Sequence, residues 1–170
     1  MILIRPEQPT DYTAVNHINQ VAFGRADEAQ LVAALHRQAP SAISLVAWWE
    51  NEAVGHILFT PVSLEPPLPG VAAAGLAPLA VLPSRQRQGI GGQLIEAGLS
   101  ACRAQGYSTV IVLGHPEYYP RFGFAPAANK GVYCEFTVPP EAFMLCELTP
   151  KLFASSRVVA RYHPAFASVT

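Results

Sequence analysis

One junction constrains this chain more than any other. An apolar run from Ala73 to Leu82 stops at Pro83 and gives way to the polar loop Ser84-Arg85-Gln86-Arg87-Gln88-Gly89, after which a helix begins near Ile90. A continuous apolar run bounded by turn signals reads as a strand buried on both faces. A helix that opens on Gly89, Gly91 and Gly92 leaves several N–H donors without intrahelical acceptors, and glycine lets a ligand approach the backbone. Those donors and the positive end of the helix dipole make an anion site suited to a phosphate or pyrophosphate. Arg85 and Arg87 add positive charge to the same loop. A strand feeding such a helix places the chain in the mixed α/β class.

Composition narrows the classes further. Of 170 residues 51% are hydrophobic and only 14% charged, with 11 Lys+Arg against 12 Asp+Glu. A disordered chain shows the opposite balance, and a nucleic-acid binder shows a basic excess that is not visible here. Pro66 to Ser84 carries no charge, which raises a membrane span. Pro66, Pro67, Pro69, Pro78 and Pro83 exclude it, because each removes a donor and clashes with the preceding turn. No secretory signal is read at the N-terminus. Three cysteines, Cys102, Cys134 and Cys146, form neither a disulfide framework nor a zinc pattern. They read as small core residues of a cytoplasmic protein.

The order of elements follows from periodicity and punctuation. A strand covers Ile2 to Arg5. A helix opens at Pro9 or Thr10, carries Tyr12, Val15, Ile18 and Phe23 on one side, and ends at Gly24. Asp27 caps a second helix, Glu28 to Gln38, with Leu31, Ala34 and Leu35 inward. Ile43 to Glu50 and Ala53 to Leu64 form a hairpin about Asn51-Glu52, with Pro61 at a bulge or edge. Next come the Ala73–Leu82 strand, the glycine loop, and a helix with Leu94, Ile95, Ala97, Leu99, Ala101 and Cys102 apolar, stopped by Gly106. Ser108 to Leu113 is a strand. Pro116 suits the first position of one or two helical turns over Glu117 to Phe122. Further strands fall near Tyr133 to Val138, Phe143 to Leu148 and Arg157 to Tyr162. One domain is expected over 1–170, with a motif-bearing core at 2–148 and a C-terminal strand extension at 149–170.

Two familiar phosphate loops fail against residues 86–92. The P-loop requires Lys-Ser/Thr after its last glycine, and Gly91 is followed by Gly92-Gln93. The dinucleotide fingerprint requires a third Gly or Ala where Leu94 stands, and an acid about 20 residues on, where the chain reads Ser108-Thr109-Val110-Ile111. The loop instead resembles the acetyl-CoA loop of the GNAT superfamily of N-acetyltransferases, Gln/Arg-x-x-Gly-x-Gly/Ala, with Gln86, Gly89 and Gly91 at those positions. Leu79-Ala80-Val81-Leu82-Pro83 resembles the family's fourth strand. Tyr119-Pro120-Arg121-Phe122-Gly123-Phe124 resembles its late Tyr-x-x-x-Gly-Phe signature. The three stand in the family's order, and the resemblance covers about residues 2 to 148. The wording Leu113 to Phe124 is closest to a bacterial branch whose members often lack known substrates.

The resemblance implies a central mixed, mostly antiparallel sheet flanked by helices, with the fourth and fifth strands splayed. It implies acetyl-CoA as co-substrate. It puts Gln86 among the cofactor-binding residues, and the backbone N–H groups of Arg87, Gln88, Gly89, Ile90, Gly91 and Gly92 hold the pyrophosphate. The Leu79-Ala80-Val81 segment lines the pantetheine arm, with the Val81 N–H donating to the thioester carbonyl. Tyr119 is the general acid that protonates the leaving thiolate, or else a packed aromatic; Tyr118 reads as packing. The family's usual strand glutamate has no counterpart, since Ala72 to Leu82 is uncharged. His115, Glu28 and His56 are the alternatives for a base, and a water-relayed proton loss fits better than any of them. Phe23, Arg25, Asp27, Trp48, Trp49 and Tyr133 are available to a substrate pocket between the first two helices, the hairpin and the C-terminal strands, or to the core.

The function read from this is transfer of an acetyl group to a primary amine of a small molecule or peptide, by direct attack in a ternary complex. No cysteine lies in the loop or beside Tyr119 to serve a covalent route. No metal is implied, the five His being scattered. No nucleic acid or membrane partner is expected, and the state is a monomer or homodimer. Two rival readings are a non-catalytic acyl-CoA-binding or sensor module of the same fold and a nucleotide-binding protein of unrelated fold.

Overall fold

The computed structural model describes residues 1–153 and 156–169. The chain forms two compact units: Met1–Phe59, Ala77–Gly98 and Pro164–Thr170 make the first, Thr60–Leu76 and Leu99–His163 the second. No helix among the described residues is long and apolar enough to cross a membrane.

The first unit begins with β1 (Ile2–Pro6), β2 (Ile43–Trp49) and the first part of β3 (Glu52–Glu65), which form antiparallel ladders; Ile2 pairs with Trp49 and Ile43 with Phe59. The end of β4 (Ala73–Val81) lies beside β3, where the Leu82 N–H donates to the Val54 carbonyl at 2.9 Å. Helices α1 (Tyr12–Phe23) and α2 (Asp27–Gln38) and the start of α3 (Ile90–Ala104) complete it. Val15, Ile18, Leu31, Val32 and Leu35 of the first two helices are buried, as are Ile43, Leu45, Val46, Val54 and Ile57 of the strands. Each large apolar side chain buried in this way contributes about 1.5–3 kcal/mol.

In the second unit the start of β4 pairs in parallel with β5 (Thr109–Leu113), and β5 pairs antiparallel with β8 (Phe143–Glu147). The short β6 (Ala125–Pro126) extends that side. The end of β3 pairs with β9 (Val158–Arg161), and β9 pairs in parallel with β7 (Val132–Cys134). Val62, Leu64, Ile111, Phe143, Leu145 and Val158 share one buried cluster. The β4–β5 ladder covers only Ala73–Leu76 against Thr109–Val112, the short pairing that splayed fourth and fifth strands require. The chain thus has the expected mixed sheet, mostly antiparallel with β4/β5 parallel, flanked by helices.

Several details differ from expectation. Tyr12 and Phe23 are 45% and 40% exposed, because the inward stripe of α1 is carried by Val15, Ile18 and Asn19. Ala26, not Asp27, is the N-cap of α2, and no side chain caps it. The hairpin register shifts between Ala47 and Trp48 and its pairing with β2 ends at Phe59, two residues before Pro61. Full burial of β4 holds for Ala73–Leu76 and alternates thereafter. Helical geometry after β5 starts at Tyr119 with Pro120 in its first turn, not at Pro116. The strand near Tyr133 stops at Cys134, and the C-terminal extension adds a 3₁₀ turn at Pro164–Val169. Cys102 and Cys146 are buried, Cys134 is half-buried, and all three are free. Burial raises each thiol, Cys102 to about 12.

Candidate active site

The glycine loop lies in the first unit and is built by a tight 3₁₀ turn, Pro83–Arg85. The Arg85 N–H donates to the Leu82 carbonyl at 2.8 Å. Arg87 and Gly89 then adopt φ of +63° and +82°. Gly89 holds that conformation without penalty, whereas Arg87 does so against the crowding of its Cβ. The Gln93 N–H reaches the Gly89 carbonyl at 3.1 Å, the first hydrogen bond of α3. Between these turns the N–H groups of Arg87, Gln88, Gly89, Ile90, Gly91 and Gly92 have no acceptor among the described residues. Ile90 is 2% exposed and anchors the loop. Six free donors at the positive end of a 15-residue helix fit a pyrophosphate.

The strand that leads into this loop presents a polar edge. Neighbouring residues of a strand direct their backbone groups to opposite sides. The Leu82 N–H faces β3, and a Cβ built on Gly55 would lie 3.3 Å from the Ala80 carbonyl oxygen. Ala80 is therefore turned towards β3, and Leu79 and Val81 present their N–H and C=O groups to the other edge. There the Gln86 side-chain amide donates to the Val81 carbonyl at 3.0 Å. The Val81 carbonyl is thus occupied within the protein, while its N–H points to the open edge. Gln86 itself is exposed.

Tyr119 lies in the second unit, at the start of the 3₁₀ turn Tyr119–Phe122, which exits through Gly123 at φ +93°. It is 8% exposed. Its ring meets Tyr118 and Phe124 edge-on at 5.2 and 5.6 Å. The hydroxyl makes no hydrogen bond among the described residues. Burial, helped by Tyr118, pushes its pKa up to about 12, so the group holds its proton through the physiological range and stands as a donor. Tyr118 packs against Phe122 at 5.3 Å and under the Arg121 guanidinium at 5.0 Å.

Residues 3–127 match the model of the acetyltransferase (GNAT) domain. The chain belongs to the GNAT acetyltransferase family. It is 43% identical over 135 residues to YjhQ, an uncharacterised N-acetyltransferase of Escherichia coli K12, covering 78% of this chain and 75% of that protein. Its fold superposes on the crystal structure of the GNAT N-acetyltransferase YhbS from Escherichia coli in complex with CoA, with TM-score 0.89 and 30% identity, covering 98% and 92% of the two chains. A GNAT acetyltransferase of Brucella melitensis, solved with acetyl-CoA, gives TM-score 0.78 and 32% identity over 98% of each chain. The protein is accordingly an acyltransferase, and the unrelated nucleotide-binding fold is ruled out.

In this GNAT chain the three alternatives for a base are differently placed. His115 is exposed, and it is its carbonyl, not its imidazole, that receives the Tyr118 N–H at 3.1 Å. Glu28 is held in a two-point ion pair by Arg25, at 2.9 and 2.5 Å. His56 is fully buried in a network that the sequence did not suggest. Glu7 receives the Ser44 hydroxyl and His36 Nε2, the latter at 2.9 Å. An ionised carboxylate only accepts, so Ser44 donates to Glu7 and accepts from His56 Nε2 at 2.8 Å. His56 Nδ1 is then unprotonated and accepts from Asn19 Nδ2 at 3.1 Å. Burial lowers the His56 pKa and keeps the ring neutral. Burial alone would raise Glu7, but the bonds from His36 and Ser44, with the His56 ring nearby, outweigh it and hold the carboxyl at about 2. These groups bond one another and are not presented to a substrate.

Most of the residues offered for a substrate pocket have local partners. Arg5 lies over Trp48 at 4.7 Å, Arg85 over Trp49 at 5.3 Å and Arg157 over Tyr133 at 4.6 Å. Arg25 bridges Asp27 at 3.5 Å as well as Glu28. A cavity of about 420 Å³ opens between α1 and α2 over Val15, Ala29 and Val32, yet none of the six expected residues lines it.

Proposed function

We propose that this GNAT enzyme transfers the acetyl group of acetyl-CoA to a primary amine of a small molecule or peptide, by direct attack within a ternary complex. The observation that carries this reading is the row of six unpaired N–H donors from Arg87 to Gly92. They are aimed by two left-handed backbone positions and stand at the opening of α3. Acetyl-CoA supplies the activated acyl group as a thioester. The open edge of β4 at Leu79 and Val81 pairs with the pantetheine amides, and the Val81 N–H donates to the thioester carbonyl oxygen. Such a donor is worth most where charge develops in a water-poor site.

In the reaction the amine nitrogen forms a bond to the carbonyl carbon as the carbon–sulfur bond breaks. The Tyr119 hydroxyl gives its proton to the departing sulfur. The proton lost by the amine leaves through water, and the Tyr119 oxygen regains one from solvent, so the products are the amide and a free thiol. With His115 exposed, Glu28 paired and His56 enclosed, water is the route for the amine proton. One N-acetyltransferase domain over 1–170 is the proposed organisation, acting as a monomer or homodimer. Three free cysteines accord with a reducing compartment, and the cytoplasm is the proposed location.

The test is release of free thiol from acetyl-CoA across a panel of small amines and peptides, alongside melting curves with acetyl-CoA, ATP and NAD. Amine-dependent thiol release, with stabilisation by acetyl-CoA, is the expected result. Stabilisation by acetyl-CoA with no release above hydrolysis, on any amine, would favour a binding module instead.

A further inference from the structure

The peptide unit between Val81 and Leu82 is held at both ends. Its N–H, on Leu82, donates to the Val54 carbonyl at 2.9 Å. Its C=O, on Val81, accepts the Gln86 side-chain amide at 3.0 Å. Gln86 reaches back five residues to do so, after the 3₁₀ turn of Pro83–Arg85 has reversed the chain, and its own backbone is extended. The bond therefore joins the last peptide of β4 to the first residue of the donor loop.

We infer that Gln86 is a positioning residue: its side chain clamps the Val81 carbonyl and thereby fixes the direction of the Val81 N–H and the register of whatever lies along the β4 edge. The inference rests on the acetyl-CoA reading, but it changes the role of Gln86 within it from cofactor contact to internal brace. Two observations carry it. The Val81 carbonyl lies on the free edge, where a bound amide would otherwise compete for it; with Gln86 in place only the Val81 N–H and the groups of Leu79 are open to a ligand. The donors that suit a phosphate are the N–H groups of the loop, whereas the Gln86 amide is already engaged by a carbonyl. What the position needs is a side chain that donates: Glu in its place would set an acceptor against an acceptor, and Arg would retain the donors.

Binding constants separate this role from the alternatives. The probes are acetyl-CoA, which carries both pyrophosphate and pantetheine, and 3′-phospho-ADP, which carries the pyrophosphate alone. Gln86→Glu and Gln86→Ala are expected to weaken acetyl-CoA about tenfold, the size of one hydrogen bond lost, and to change 3′-phospho-ADP less than about twofold. Gln86→Arg is expected to restore most of the acetyl-CoA affinity. The same variants should speed amide exchange at Leu82 in the free protein, which reads the clamp without any ligand. Gln86 is exposed, so melting temperatures close to the parent are expected. Equal weakening of both probes would make Gln86 a pyrophosphate contact and overturn the inference, as would unchanged Leu82 exchange. If the parent protein binds neither probe, the acetyl-CoA reading fails, and the exchange result still reports on the clamp.

Discussion

Gly114 lies directly against the ring of Tyr119: a Cβ built on Gly114 would fall 2.4 Å from Cε2 and 3.1 Å from Cδ2. Two residues five apart, one just after β5 and one opening a 3₁₀ turn, are thus fitted to each other, and the glycine sets where the tyrosine ring can sit. Gly114→Ala must displace the ring. Overpacking of this kind costs about 1–3 kcal/mol, and turnover is expected to fall at least about tenfold with acetyl-CoA affinity nearly kept. Steady-state kinetics with a parallel binding measurement check it; unchanged turnover would show that the ring position is irrelevant to the chemistry.

Tyr119→Phe removes the hydroxyl and leaves the packing. A general acid contributes roughly 10²–10⁴-fold, so turnover is expected to drop by at least about tenfold while acetyl-CoA binding is retained. Because the hydroxyl is held at about 12, it stays protonated to high pH. The rate profile of the parent should therefore show no fall between pH 8 and about 10 from loss of this proton. A descending limb in that interval that vanishes in Tyr119→Phe would contradict the raised value.

Gly89 carries φ of +82°, and a Cβ added there would meet no atom within 4 Å. Gly89→Ala is thus penalised by backbone conformation alone, at about 1–2 kcal/mol. The loop should relax and its N–H groups lose their common aim. Acetyl-CoA and 3′-phospho-ADP are both expected to bind more weakly, in contrast to the Gln86 variants, and calorimetric titration of the two ligands distinguishes the cases.

The Glu7 network sets a pH dependence of stability. Glu7 titrates at about 2 in the fold against an ordinary 4.5, so its contribution is present above pH 4.5 and is lost as the pH falls from there towards 2. The displacement corresponds to roughly 3 kcal/mol. His56 is lowered by burial, so the unfolded chain takes up its proton first as pH falls through 6.5, which also destabilises the fold. Melting temperature should decline on acidification, starting near pH 6.5 and steepening below 4.5. Glu7→Gln should be less stable at pH 7 and show a shallower decline below 4.5; a parallel curve would remove Glu7 from the effect.

How far the sequence could be read depended on the range of the signal. The loop was legible because its function is written locally: Gln86, Gly89 and Gly91 stand within six residues, and the strand and helix flanking them carry their own periodicity. The polar core was not. Glu7, Asn19, His36, Ser44 and His56 are spread from the end of β1 through α1, α2, β2 and β3, and only strand pairing and helix packing bring them together. His56 therefore reads as a free base until Val46↔His56 pairing and full burial place it inside. Tyr12 and Phe23 mislead for a related reason: they fit a helical period, but the buried stripe of α1 is narrower than that period allows and includes Asn19. The pairing of Trp48, Trp49 and Tyr133 with Arg5, Arg85 and Arg157 is likewise beyond local pattern, since each arginine is distant from its ring in sequence.

The four-residue ladder between β4 and β5 has a consequence for how the protein survives in a crowded solution. Beyond Leu76, β4 continues to Val81 with backbone groups on an edge that β5 does not cover, and a bare edge invites strands from other chains. Leu79 and Val81 face that edge, and the Val81 carbonyl is already taken by the Gln86 side chain at 3.0 Å. An invading strand therefore finds one acceptor fewer, just before the chain turns at Pro83–Arg85. The same side chain that leaves the Val81 N–H open to a short ligand arm thus blunts the edge against a longer strand from another molecule.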